Sequence, residues 1–208
     1  MNTGKFITFE GNDGCGKTTI IKLIYEALLN KGYDVVLTRE PGGIEIAEQI
    51  REVILNPNNT KMDGRTEALL YAASRRQHLV ERVLPAYNRG SIIICDRFID
   101  SSLAYQGIAR NLGIDEVLNL NEFAINGFMP DLTILLKVSC SVGLSRLSGR
   151  DKQDRLDIEG DSFHKLVSQG YDIVADRFKD RIKVVNAEQD IDSVLNDTLK
   201  IVMDIINE

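Results

Sequence analysis

Eight consecutive residues near the start of the chain, Gly11-Asn12-Asp13-Gly14-Cys15-Gly16-Lys17-Thr18, follow the pattern G-x-x-x-x-G-K-[ST]. With glycine at roughly 7% of residues, a chance match in a chain of this size is on the order of one in a hundred. The chemistry is that of a phosphate cradle. Glycines let backbone N–H groups turn inward around an anion, and a helix N-terminus behind them adds a favourable dipole. Lys17 can reach β and γ phosphates, and the Thr18 hydroxyl can ligate Mg2+. An apolar stretch, Phe6–Phe9, precedes the loop, and Ile20, Ile21, Leu23, Ile24 and Leu28 follow it at helical spacing. Strand, loop and helix are the context such a cradle needs.

The loop must be carried by a sheet. Lys5–Glu10, Asp34–Thr38, Ser91–Asp96, Asp131–Val138 and Arg181–Asn186 read as strands. Several are unbroken apolar, β-branched runs, as expected where helices cover both faces of a parallel sheet. Helical periodicity falls between them at Lys17–Lys31, Ile44–Leu55, Arg65–Arg89, Asp115–Asn126, Ser141–Leu147, Asp161–Asp180 and Asp190–Ile206. This alternation predicts an α/β fold, a five-stranded parallel sheet with helices on both faces. No repeat or Pro/Gly/Ser linker divides it, so one domain over 1–208 is expected. The polar segment Ser148–Gly160 reads either as a solvated loop or, with Arg150 and Arg155 inside it, as a mobile lid.

Composition narrows the classes. The 208 residues carry a net charge of −6, so the surface as a whole repels nucleic acid and any nucleotide needs a local basic pocket. Three cysteines, widely spaced, and two histidines argue against a zinc site or a disulfide framework. No apolar run is long enough to span a membrane, and the start lacks signal-peptide character, so a cytoplasmic location is expected. The N-K-x-D guanine-reading segment of a GTPase switch is missing. A small kinase fits.

Further along, Arg39-Glu40-Pro41-Gly42-Gly43, Asp96-Arg97-Phe98, Ser101-Ser102-Leu103-Ala104-Tyr105-Gln106-Gly107, Pro130-Asp131-Leu132-Thr133 and Asp154-Arg155-Leu156 occur in this order. They resemble the R-E-P-G-G, D-R-[YH], S-x-x-A-Y-Q-G, P-D-L-T and D-R-[IL] segments of the bacterial thymidylate kinases. The resemblance runs from residue 6 to about residue 187. It implies a P-loop NTPase fold with a small lid at about 148–160. It also implies transfer of the γ-phosphate of ATP to dTMP with Mg2+, within dTTP biosynthesis, by a homodimer that binds neither membrane nor nucleic acid polymer.

The residue types suit those roles. Arg97, at the end of a presumed central strand, offers a planar guanidinium to an acceptor phosphate, and the resemblance adds Arg51 and Glu40. Asp96 occupies the position of a Walker-B aspartate that positions Mg2+ with Thr18, or of a turn aspartate. Tyr71 and Arg75 share a helix face. The resemblance sets Tyr71 against the thymine ring, Arg75 near a base carbonyl and Gln106 on the pyrimidine edge, with Arg76 competing for the base-reading role. It brings Asp13 to the 3′-hydroxyl and Tyr105 to the sugar, with Ser101 and Ser102 beside them. The phosphate loop contains no arginine, so charge compensation is expected from lid residues Arg150 and then Arg155, with Arg146 as an alternative. Cys15 is either an inert loop residue or a thiol activated by Lys17 and the helix end. Two other readings stand beside this one: a kinase of another deoxynucleotide or deoxynucleoside, and a non-catalytic regulatory ATP-binding protein.

Overall fold

In the computed structural model, which describes residues 4–147 and 154–207, the expected strands form one parallel sheet. They are β1 (Lys5–Glu10), β2 (Val35–Arg39), β3 (Ile92–Asp96), β4 (Leu132–Lys137) and β5 (Ile182–Asn186), in the order β2-β3-β1-β4-β5. Alternation explains the layers. Phe6, Ile93, Leu135 and Ile182 belong to the core on one face. Their neighbours Ile7, Phe9, Ile92, Ile94, Ile134 and Val185 belong to the core on the other.

The second face is covered by α1 (Lys17–Asn30), whose Ile20, Ile21, Ile24 and Leu28 are buried, and by α9 (Ile191–Ile206). The Asp190 side chain caps α9 by accepting from Ser193 N at 2.9 Å, the usual way to satisfy an orphan N–H at a helix start. The other helices are α2 (Glu45–Leu55), α3 (Gly64–His78), α4 (Leu84–Asn88), α5 (Ile99–Ser102), α6 (Ile114–Ile125), α7 (Cys140–Leu147) and α8 (Asp161–Arg177).

Two helical regions differ from expectation. The stretch read as one helix over Arg65–Arg89 is α3 and α4 joined by a wide π-type turn, Leu79–Val83. Pro85 lacks an N–H and its ring crowds the carbonyl a turn earlier, so widening the turn upstream of it keeps the chain helical. On this stretch Ala68 and Ala72 are core, whereas Leu69 and Val80 are exposed.

The second region is α5 and the wide π-type segment Leu103–Ala109 that continues it, where no helix was expected. Small residues let it pack. A Cβ on Gly170 of α8 would lie 2.9 Å from Ala104 Cα, so the two backbones cross almost in contact, bringing Tyr171 beside Tyr105 and Ser101. Among the described residues no helix is long and apolar enough to cross a membrane.

Candidate active site

In the sheet, β1 and β3 are neighbours, and the connections leaving them run in opposite directions, to β2 and to β4. Ligands of open α/β sheets bind at the carboxyl ends of such strands. A cleft of about 410 Å3 lies there. Among the described residues it is lined by six cationic side chains, Lys17, Arg39, Arg51, Arg75, Arg97 and Arg146, and by the carboxylates of Asp13, Glu40, Asp96, Asp154 and Asp157.

One end is the glycine loop. Gly14 has φ +79°, and a Cβ there would meet Gly143 O at 2.3 Å, so the loop is pressed against α7 in a conformation glycine tolerates. Asp13 through Thr18 line the cleft, while Gly11 and Asn12 lie behind it. Lys17 Nζ donates to Gly11 O at 3.0 Å. Cys15 is 2% exposed, which favours the inert reading of its thiol.

The other end begins at Arg97, held at φ +69°. A non-glycine residue in that region costs on the order of 1–3 kcal/mol and persists where its surroundings over-determine it. Here Arg97 N donates to Phe9 O at 2.9 Å. Nη1 donates to Ser101 Oγ (3.1 Å) and Tyr171 OH (2.8 Å), and Nη2 to Asp13 Oδ1 (2.6 Å). Tyr105 OH donates to the other Asp13 oxygen at 2.9 Å. Burial alone would raise the Asp13 pKa, but Arg97, then Lys17, outweigh it and hold the carboxyl below its ordinary value.

Beneath Arg97 lies Glu10, fully buried. It accepts from Phe98 N (2.7 Å), Ser101 Oγ (2.5 Å) and Tyr171 OH (2.9 Å). Burial, then the charge of Asp100, pushes its pKa up to about 7. Neither Glu10 nor Tyr171 was anticipated. Glu10 ends an apolar strand and carries no motif of its own, and Tyr171 comes from α8, far away in sequence.

Along α3, Glu67, Tyr71 and Arg75 fall at four-residue intervals on one face. Tyr71 and Arg75 line the cleft. Arg75, 1% exposed, donates Nε to Glu40 Oε2 (2.8 Å), Nη1 to Ser102 Oγ (3.1 Å) and Asn121 Oδ1, and Nη2 to Phe98 O (2.9 Å). Glu40 also contacts His78 Nδ1 at 2.8 Å, and His78 Nε2 contacts Thr38 Oγ1 at 2.6 Å. Ser102 therefore orients Arg75 and does not line the cleft. Arg76 donates to Ala124 O at 3.2 Å, away from it. Arg51 Nη1 donates to Pro41 O at 2.7 Å, which fixes it at the cleft edge.

The lid segment is only partly described. Residues 148–153, and with them Arg150, lie outside the described residues. Asp154-Arg155-Leu156 is docked: Asp154 Oδ1 accepts from Leu156 N (2.8 Å) and Asp157 N (3.0 Å), and Leu156 is in the core. Arg155, 4% exposed, donates to Glu67 Oε2 (2.6 Å) and Ile54 O (2.8 Å). Its guanidinium anchors this segment to α2 and α3 and does not line the cleft. Arg146, on α7, does line it, with Nη1 donating to Gly14 O at 3.2 Å.

The residues fit a hard cation. Asp96 Oδ1 is buried without a hydrogen-bond partner among the described residues, and Thr18 is exposed at the first turn of α1; both line the cleft. The described residues hold no cluster of three or more His, Cys, Asp or Glu side chains suited to a metal. Such a sparse donor set suits Mg2+, which keeps several waters and binds substrate phosphates.

Known proteins are similar to this chain over nearly its whole length. The family model described as thymidylate kinase matches residues 9–198. The chain is 56% identical over 203 residues to the thymidylate kinase of Geobacillus sp. (strain WCH70), covering 97% of each chain. It is also 56% identical to that of Clostridium novyi (strain NT), covering 95% of this chain and 97% of the relative. The crystal structure of thymidylate kinase from Ehrlichia chaffeensis superposes with a TM-score of 0.79 at 32% identity, covering 97% of this chain and 99% of that one. With the glycine loop, the arginine-lined cleft and these matches over nearly the whole length, the chain belongs to the thymidylate kinase family.

Proposed function

We propose that the cleft transfers the γ-phosphate of ATP to dTMP, giving dTDP and ADP. The chain is an ATP-dependent nucleoside monophosphate kinase, a transferase. The observation that carries the reading is a single cleft with the phosphate loop at one end and Tyr71, Arg75 and Gln106 at the other. A regulatory ATP-binding protein has no use for that second pocket.

The ATP phosphates lie on the loop formed by Gly11, Asn12, Asp13, Gly14, Cys15, Gly16, Lys17 and Thr18, with Lys17 toward the transferred group. Arg97 and Arg51 hold the acceptor phosphate. Glu40 and Ser102 keep Arg75 in place, Ser101 steadies Arg97, and Asp13 and Tyr105 border the sugar. Tyr71 stacks on the base while Arg75 and Gln106 read its edge. Thr18 and Asp96 would hold Mg2+, which would neutralise charge on the donor phosphates. Phosphoryl transfer needs little covalent help, so alignment of the two substrates and compensation of their charge supply the catalysis. Arg146, already on the cleft wall, and Arg150 from the lid provide that compensation, whereas Arg155 serves by anchoring the lid's end.

Exposed Leu69 on α3 and Val80 on the π-type turn that follows it support a homodimer through this stretch. The reading places the enzyme in the cytoplasm, in dTTP biosynthesis. The test is a coupled assay of ADP formation with dTMP, dUMP, dCMP, dGMP and thymidine under saturating ATP and Mg2+. Preferred turnover of dTMP is expected. A folded sample that phosphorylates none of them returns the chain to the regulatory reading, and preference for another acceptor returns it to a different kinase of this fold.

A further inference from the structure

We infer that Glu67, which does not itself line the cleft, sets the base specificity by fixing which end of the Gln106 amide faces the substrate. This rests on the dTMP reading of the cleft and deepens it. Glu67 is fully buried on α3, one turn before Tyr71. Its Oε1 lies 2.7 Å from Gln106 Nε2. Its Oε2 lies 2.6 Å from Arg155 and 3.2 Å from Arg110 Nη2, and Arg110 Nε lies 3.3–3.4 Å from both oxygens.

Both Glu67 oxygens lie against guanidinium N–H groups of Arg110 and Arg155, which can only donate, so both oxygens serve as acceptors. The Gln106 amide must therefore turn its NH2 group toward Glu67, which leaves its carbonyl oxygen as the atom offered to the cleft that Gln106 lines. Arg75 supplies the complement. Of its five N–H bonds, one goes to Glu40, one each to Ser102 and Asn121, and one to Phe98 O. The remaining N–H is a donor, because arginine can be nothing else.

A donor beside an acceptor matches the O4 and N3–H of a thymine or uracil ring. Cytosine presents the reverse, an exocyclic NH2 and an unprotonated N3. Sites built to hydrogen-bond one polar pattern reject its opposite strongly, since buried groups are otherwise left unpaired. A free glutamine could flip to suit either ring. Glu67, held by Arg155 from the lid's end and by Arg110, removes that freedom, so Glu67 is a positioning residue and not a catalytic one.

The experiment compares kcat and KM for dTMP and dCMP in the unmodified enzyme, Glu67→Gln, Gln106→Ala and the exchange Glu67→Gln/Gln106→Glu, each checked for folding by circular dichroism. Glu67→Gln should lower the dTMP-to-dCMP ratio of kcat/KM by about tenfold or more, chiefly through KM. The double exchange should recover much of the ratio, because a carboxylate at position 106 again offers only an acceptor. A merely structural role predicts loss of stability in both variants with the ratio unchanged. The inference is overturned if Gln106→Ala loses the preference while folded Glu67→Gln keeps it. It is also overturned if the folded double exchange discriminates no better than Glu67→Gln alone, a comparison that stands even where the single variant is destabilised. If Gln106→Ala keeps the preference, the base-reading role of Gln106 itself fails, and that failure is distinct from the others.

Discussion

Arg97 Nη2 lies 2.6 Å from Asp13 Oδ1, so the residue that follows β3 is ion-paired with a residue inside the phosphate loop that follows β1. The pair is partly open, with side-chain exposures of 18% and 23%, and it stands where the donor and acceptor halves of the cleft meet. A charge at this point acts on both substrates at once.

Replacing Arg97 should therefore damage turnover and acceptor binding together. Arg97→Met is expected to lower kcat/KM for dTMP by roughly 10²–10³, the usual loss when one preorganised donor at a reacting centre is removed. Arg97→Lys should recover little, because a point charge cannot reach Ser101, Tyr171 and Asp13 at once. Steady-state kinetics with dTMP as the varied substrate provide the check; a full rescue by lysine would reduce Arg97 to a simple counter-charge.

Arg146 and Arg155 should separate cleanly. Arg146→Ala is expected to reduce kcat by about 10³, in the range of an arginine that stabilises the transferred phosphoryl group, with dTMP affinity by calorimetry nearly unchanged. Arg155→Met should instead cost about 3 kcal/mol of stability, because it strips a partner from buried Glu67. Denaturant melts and kcat measured on both variants decide the matter. The reverse pattern would return the catalytic role to Arg155.

Arg75 is both wall and foundation. Arg75→Met leaves Glu40 buried with only His78 beside it, and a loss of about 3–5 kcal/mol in unfolding free energy is expected, alongside a raised KM for dTMP. Guanidinium titration monitored by circular dichroism checks the first and the coupled assay the second. A variant as stable as its parent would show that Glu40 is adequately held without Arg75.

Glu10 should make the fold sensitive to pH in a narrow window. Its carboxyl titrates near 4.5 unfolded and is pushed up to about 7 in the native protein by burial and by Asp100. Below pH 4.5 both states hold the proton and the native preference for it is fully expressed. As pH rises from 4.5 through 7 the unfolded chain releases it first, and about 3 kcal/mol of stability is lost. Glu10→Gln cannot ionise and should lack this component. Unfolding free energies at pH 5 and 7.5 for both proteins test it, and parallel slopes would rule it out.

Much of this architecture is written locally. The strands are apolar runs whose neighbours alternate between two cores, and β1 lies at its expected residues because Phe6 faces one core while Ile7 and Phe9 face the other. The phosphate loop is legible locally through the spacing of its glycines, although Gly11 and Gly14 also make room for Leu136 O and Gly143 O, far away in the chain. Asp154-Arg155-Leu156 was also visible as a motif, but its reading as part of a catalytic lid missed what the arginine touches: Glu67 is 88 residues away in the chain.

By itself, the order of residues determined the parallel sheet, the phosphate cradle and the family likeness, because periodicity, glycine geometry and motif spacing are properties of neighbouring positions. Tertiary structure alone decided which charges meet. Glu10 beneath Arg97, Tyr171 brought in by the close crossing of Gly170 over Ala104, and Glu67 shared among Gln106, Arg110 and Arg155 all join residues far apart in the chain. Buried polar groups need partners in space, and only the folded packing supplies their identity.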